Sequence, residues 1–101
     1  MKENARVLVL NGTATPGLAT VLSGDLKSYG YNVVSVGNTP TSDWASTTLV
    51  DLTHSNKYTK NYLEQRFNQK ASTALADKKI DTNGADFVII IGSDEANLTQ
   101  P

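Results

Sequence analysis

The chain has 101 residues and no cysteine. That absence excludes a disulfide scaffold, thiolate metal ligands and thiol catalysis, though it fixes no compartment. An excess of either charge is also missing. Lys and Arg total 9 against 10 for Asp and Glu, a net charge of −1. A near-neutral domain has little electrostatic pull on nucleic acid or anionic lipid, so neither is expected as a partner. Basic residues are scattered, with Lys78–Lys79 the densest pair. No apolar run approaches the roughly 18 residues of a membrane span, so no membrane contact is expected of these residues. The polar start Met1-Lys2-Glu3-Asn4 has no signal-peptide apolar region. A start so close to the first strand is expected of a piece excised from a longer protein. On that reading the missing leader says nothing about where the parent resides.

Enough remains to fold. The hydrophobic fraction is 39% and the charged fraction 19%, well away from the balance of disordered chains. The length suits one domain, residues 1–101, with a modest core over about 5–94 and a tail from 95 to 101.

Periodicity sets the element order. Ala5 to Asn11 carries the unbroken apolar run Val7-Leu8-Val9-Leu10, which fits a strand covered on both faces or lying centrally in a sheet. Gly12 to Gly17 is a turn, with Thr15 as helix N-cap and Pro16 as the first helical residue. From Pro16 to Tyr29, Leu18, Val21, Leu22, Leu26 and Tyr29 recur at helical spacing, with Asp25 interrupting that face. Gly30 is the stop. Tyr31 to Val36 is a second strand, closed by Gly37-Asn38. Residues 38–46 form a polar loop carrying Trp44.

The second half repeats the plan. Thr47 to Thr53 is β-branched and strand-like. His54-Ser55-Asn56 opens a helix that Tyr58 to Lys70 continues, with Tyr62, Leu63, Arg66 and Phe67 along one side. Ala71 to Gly84 fits helix, strand or ordered loop equally. Phe87 to Ile91 is the most hydrophobic run of the chain and ends at Gly92. The fold class is therefore α/β in the order β-α-β-β-α-β: a two-layer sandwich of a four-stranded sheet with both helices on one face. Two strand orders fit. A ferredoxin-like sheet puts the fourth strand at an edge. Two parallel strand–helix–strand units put the first and fourth strands together in the middle. The apolar character of those two strands favours the second order, because edges are usually blunted with polar groups.

Chemistry is sparse. Asn11-Gly12-Thr13-Ala14-Thr15-Pro16-Gly17 links a strand to a helix, where phosphate loops occur. Gly12 and Gly17 have the P-loop separation, but Leu18 and Ala19 stand where Lys and Ser/Thr would follow. A tight structural turn is the favoured reading. The functional one is that helix-start amides with Thr13 and Thr15 meet an anionic or hydroxyl-rich ligand. His54, Ser55 and Asp51 are sequence neighbours without an oxyanion loop, and read as a polar turn rather than a triad. A single histidine without cysteine or clustered acids makes no zinc site. Asp81, Asp86 and the pair Asp94-Glu95 lack calcium-loop spacing and read as solvated. Trp44 is either a binding platform or a cap folded over the sheet edge. No cofactor, metal or catalytic residue is expected. The candidate contact residues are Asn11, Gly12, Thr13, Thr15, Gly17 and Trp44.

A family resemblance runs through these elements. Asn11-Gly12-Thr13 with Gly17-Leu18-Ala19, then Gly30-Tyr31, Val33-Val34 and Gly37-Asn38, resemble the LytR C-terminal domain family. So do Thr47-Thr48 and the terminal Ile91-Gly92-Ser93-Asp94. The second helix and the stretch from Ala71 to Gly84 match only in order and length. The resemblance implies an accessory domain of cell-envelope proteins of Gram-positive bacteria, often beside the LytR-CpsA-Psr catalytic domain that attaches glycopolymers to the wall. It implies a position outside the cytoplasmic membrane, as part of a membrane-anchored parent. It carries over no catalytic residue. The expected role is a non-catalytic module that meets a cell-wall glycopolymer or an envelope protein. The alternatives are a small phosphate- or nucleotide-binding domain or enzyme using the Gly12–Gly17 turn, and a purely structural or dimerising unit.

Overall fold

The computed structural model describes residues 5–15, 17–39, 44, 47–53, 57–67, 70–72, 82 and 84–93. The elements run β1 (Arg6–Asn11), α1 (Leu18–Ser28), β2 (Asn32–Asn38), β3 (Thr48–Asp51), α2 (Lys57–Phe67) and β4 (Phe87–Ile91). The strands form a four-stranded sheet in the order β2-β1-β4-β3. β1 and β4 are thus the central pair, and the ferredoxin-like order is ruled out. Their unbroken apolar runs follow from that place. Val7 and Val9 join Phe87, Ile89 and Ile91 in one core cluster. Leu8 and Leu10 join Val88 and Ile90 in another, across the sheet. A strand buried on both faces has no polar positions to alternate with.

β1 pairs in parallel with β2, from Arg6↔Asn32 to Asn11↔Asn38, and with β4, from Val7↔Phe87 to Asn11↔Ile91. The second half departs from the expected parallel unit. β3 lies beside β4 but antiparallel to it, from Thr48↔Ile90 to Asp51↔Phe87. An additional pass of the chain explains the reversal. After α2, Ser72 bridges Val50 in parallel on the outer side of β3. Asp51 N–H donates to Ser72 O at 2.9 Å, and Ser72 N–H to Leu49 O at 2.8 Å. One more leg between α2 and β4 turns β4 the other way. In the sequence that leg begins the Ala71–Gly84 stretch, whose sparse apolar residues gave no period. Of that stretch, residues 73–81 and 83 lie outside the described residues.

Both helices cover one face of the sheet. Leu18, Leu22 and Leu26 of α1 and Leu63 and Phe67 of α2 all enter the cluster that holds Val7, Val9, Phe87 and Ile89. The buried face of α1 is rotated from the expected one. Ala19 and Ser23 are buried, whereas Val21 and Tyr29 are 51% and 54% exposed. Small side chains at 19 and 23 let the helix lie close on the sheet, which turns Val21 outward. The N-terminus also differs. Thr15 makes no cap; Gly17, at φ 87°, occupies that position without a side-chain cap bond. Pro16 lies outside the described residues.

The other end of α1 closes as expected. Gly30 sits at φ 88°. Its N–H donates to Lys27 O at 2.9 Å, and Tyr31 N–H to Leu26 O at 3.2 Å. This is the paired bonding of a Schellman ending, which needs a left-handed residue. A Cβ there costs about 1–2 kcal/mol. Gly30→Ala is therefore expected to lower Tm by several degrees in a circular-dichroism melt. An unchanged Tm would mean that the ending holds nothing together.

The two helices meet through side chains. Tyr31 and Tyr62 stack with centroids 4.8 Å apart, and Tyr29 lies 6.0 Å from Tyr62. Arg66 Nη2 reaches Asp25 Oδ2 at 3.4 Å. Burial, with smaller contributions from Tyr29 and Tyr31, raises the Tyr62 hydroxyl above its ordinary value of 10.0. The fold therefore keeps the Tyr62 proton longer than the unfolded chain does. That stability is complete below pH of about 10 and is lost as pH rises through the raised value. Tyr62→Phe is expected to flatten the alkaline loss of stability in denaturant melts across that range. An identical alkaline slope in the variant would count against this assignment.

Candidate functional site

β1 delivers Asn11 to the top of the sheet, at the C-terminal ends of the two parallel strands it joins. Crevices at such strand ends are where open α/β sheets bind ligands. The backbone of this residue and the next is held from three sides. Gly12 N–H donates to Ile91 O at 2.9 Å, Thr39 N–H to Asn11 O at 3.2 Å and Trp44 N–H to Gly12 O at 3.0 Å. Ser93 N–H in turn donates to Trp44 O at 3.0 Å. Residues following β1, β2 and β4 thus converge on one turn.

The Asn11 side chain organises that turn. It is 4% exposed. Its Nδ2 donates to Thr15 O at 2.7 Å. Its Oδ1 accepts from Thr13 N–H at 2.9 Å and from Thr13 Oγ1 at 2.7 Å. Thr15 N–H then donates to Thr13 Oγ1 at 3.2 Å. Asparagine suits the position because it both donates and accepts, and because its short side chain reaches its own backbone two residues on. The amides of Gly12, Thr13 and Thr15 are all engaged within the fold. A phosphate cradle would need amides like these turned outward to an anion.

Beside the turn lies a shallow cleft of about 260 Å³, lined by Asn11, Gly17, Ala19, Thr20, Val36, Gly37 and Asn38. The first turn of α1 forms one wall and the end of β2 the other. The opening amides of a helix have no partner inside it, so this wall offers donors and a partial positive charge. With Thr20 and Asn38 the lining suits hydroxyl-rich or weakly anionic groups.

The six expected contact residues separate here. Asn11 and Gly17 line the cleft. Thr13 and Thr15 are spent on the turn. Gly12 is pressed between β4 and Trp44, where a Cβ would stand 2.8 Å from Ile91 O and 2.8 Å from Trp44 Cβ and Cδ1. Trp44 is half-buried and packs against the cluster of Leu8, Leu10, Val88 and Ile90 on the face opposite the helices. Sequence reasoning missed Thr20, Val36, Gly37 and Asn38 as cleft residues. Gly37-Asn38 read only as the end of a strand, and nothing local to it signalled that β2 ends level with the start of α1.

The other sequence candidates do not assemble into a site. Asp86 is structural: its Oδ2 accepts from Arg6 N–H at 2.8 Å, and its own N–H donates to Arg6 O at 2.8 Å. Asp51 is buried in β3. His54, Ser55, Asp81, Asp94 and Glu95 lie outside the described residues. Among the described residues no group of acidic, histidine or cysteine side chains is placed to hold a metal ion. Nor is any described helix long and apolar enough to cross a membrane.

Compared with known proteins, residues 4–94 match the family model LytR_C, described as LytR cell envelope-related transcriptional attenuator. No curated protein and no solved structure matches the chain.

Proposed function

The chain belongs to the LytR_C family, and from that membership we propose that it is a non-catalytic accessory domain of a cell-envelope protein of the LytR-CpsA-Psr type. It works outside the cytoplasmic membrane as part of a membrane-tethered parent involved in attaching glycopolymers to the cell wall. Its own part is to bind, and the cleft between α1 and β2 is where a glycopolymer segment or an envelope partner rests. The family match over residues 4–94 carries this reading. The helix-start donors beside Thr20 and Asn38 support it, because alternating hydroxyl and phosphate groups are what such a lining attracts. The regulatory half of the family description finds no electrostatic support in this domain, with 9 basic against 10 acidic side chains.

The nucleotide-binding alternative is the weaker one, because the Gly12, Thr13 and Thr15 amides already have partners. Co-sedimentation with purified cell walls tests the proposal. The domain is expected to pellet with walls that carry their glycopolymer and to stay in solution with walls stripped of it. Failure to pellet with either would remove the glycopolymer half of the reading. Stabilisation by nucleoside triphosphates in a thermal-shift assay would favour the alternative instead.

A further inference from the structure

The two edges of the sheet are finished differently. The outer side of β3 is taken by Ser72, which exchanges hydrogen bonds with Asp51 and Leu49. Among the described residues no strand pairs with the outer side of β2, although β2 is the longest strand at 7 residues. Natural edges are usually guarded by charge, proline or a β-bulge. β2 reads Asn-Val-Val-Ser-Val-Gly-Asn and has no charge and no proline. Val34 and Val36 on it are 41% and 42% exposed. Its one irregularity is a register shift that leaves Val34 unpaired with β1.

We propose that this edge is a self-association surface, on which β2 of a second copy pairs antiparallel about a two-fold axis through Ser35. The sequence is self-complementary in that register. Asn32 faces Asn38, Val33 faces Gly37, Val34 faces Val36, and Ser35 faces its own copy. Both exposed valines are then covered by direct cross-strand pairing, and no charge meets a like charge. A two-fold interface requires this self-complementarity. A net charge of −1 offers little repulsion between copies.

The helix above the edge fits the same axis. Thr20 stands beside Val36, Gly37 and Asn38 at the cleft, and α1 runs antiparallel to β2. From Gly37 back to Ser35 is about 6.6 Å along a strand. α1 covers that distance in roughly four residues, which leads from Thr20 to Gly24. A Cβ built on Gly24 meets nothing within 4 Å. In the pair, the two α1 helices sit side by side roughly 10 Å apart, with Gly24 on the solvent side of each, about half a turn from the buried Leu22. One strand pair and one helix contact make an interface near the low end of stable complexes. The dimer therefore forms in the micromolar range.

Sedimentation equilibrium from low to high micromolar protein, with amide hydrogen exchange at the same concentrations, tests this. A reversible monomer–dimer equilibrium is expected, with amides of Asn32–Asn38 gaining protection as concentration rises. Val34→Lys should weaken association by about tenfold. The double variant Val34→Lys/Val36→Lys should abolish it, and Val34→Lys/Val36→Glu should restore it by placing opposite charges face to face. A monomer at every concentration would overturn the proposal. So would a dimer unaffected by the double-lysine variant, or β2 amides whose exchange ignores concentration.

Discussion

Gly12→Ala is expected to destabilise the domain by about 2–3 kcal/mol. The added methyl has no direction in which to escape. It would stand 2.8 Å from the Ile91 carbonyl oxygen, which is backbone of the central strand β4, and 2.8 Å from two atoms of Trp44. The Gly12 N–H must also stay within reach of Ile91 O, at 2.9 Å, so the turn cannot simply lift away. For a domain of about 100 residues the loss corresponds to a fall in Tm on the order of 10–20 °C. Trp44 is the single tryptophan and touches the inserted methyl, so its fluorescence should report the shift directly. A variant with unchanged Tm and unchanged emission would show that the contact between the β1 turn and Trp44 is not as tight as described.

Asn11→Ala is expected to cost about 2 kcal/mol. It removes the acceptor for Thr13 N–H and Thr13 Oγ1 and the donor to Thr15 O. Part of the loss is repaid by water, because Thr13 and Thr15 are not fully buried. Asn11→Asp separates the two halves of the role. It keeps the oxygen that Thr13 uses, but it loses the amide donor and sets a carboxylate against the Thr15 carbonyl. Amide exchange at Thr13 should therefore quicken in the alanine variant and stay slow in the aspartate one. The link to Thr15 should be lost in both. Equal protection of Thr13 in all three proteins would contradict the place given to the Asn11 side chain.

Most of the fold was legible in the residues, for reasons that can be named. Phe87 to Ile91 and Val7 to Leu10 have no polar position, and only a central strand buries both faces. Gly30 after the last turn of α1 marked an ending that the structure builds as anticipated. Three features were not legible. The direction of β4 against β3 depends on the pass at Ser72, whose partner Val50 lies across a helix in sequence. The start of α1 read as a Thr15 cap because cap preference is local, whereas Thr13 and Asn11 claim the groups around Thr15. The outward turn of Val21 comes from how closely Ala19 and Ser23 let α1 approach the sheet, a packing outcome that helical spacing alone does not resolve.

The candidate site was legible in part. The glycine spacing and the Asn-Gly-Thr start pointed to the turn that lies beside the cleft. They did not show that the turn serves as a scaffold, with its amides and hydroxyls bonded inward. The open groups belong to its neighbours, Thr20 on α1 and Asn38 at the end of β2, which only the pairing of β1 with β2 brings beside Asn11.

We propose that this domain binds envelope glycopolymer at the cleft between α1 and β2. Amide chemical-shift mapping during titration with teichoic-acid fragments tests it most directly. Saturable shifts at Asn11, Gly17, Thr20, Gly37 and Asn38, with Tyr29 and Tyr62 by the far end of α1 unmoved, are the expected result. No shifts, or shifts confined to residues away from the cleft, would contradict it.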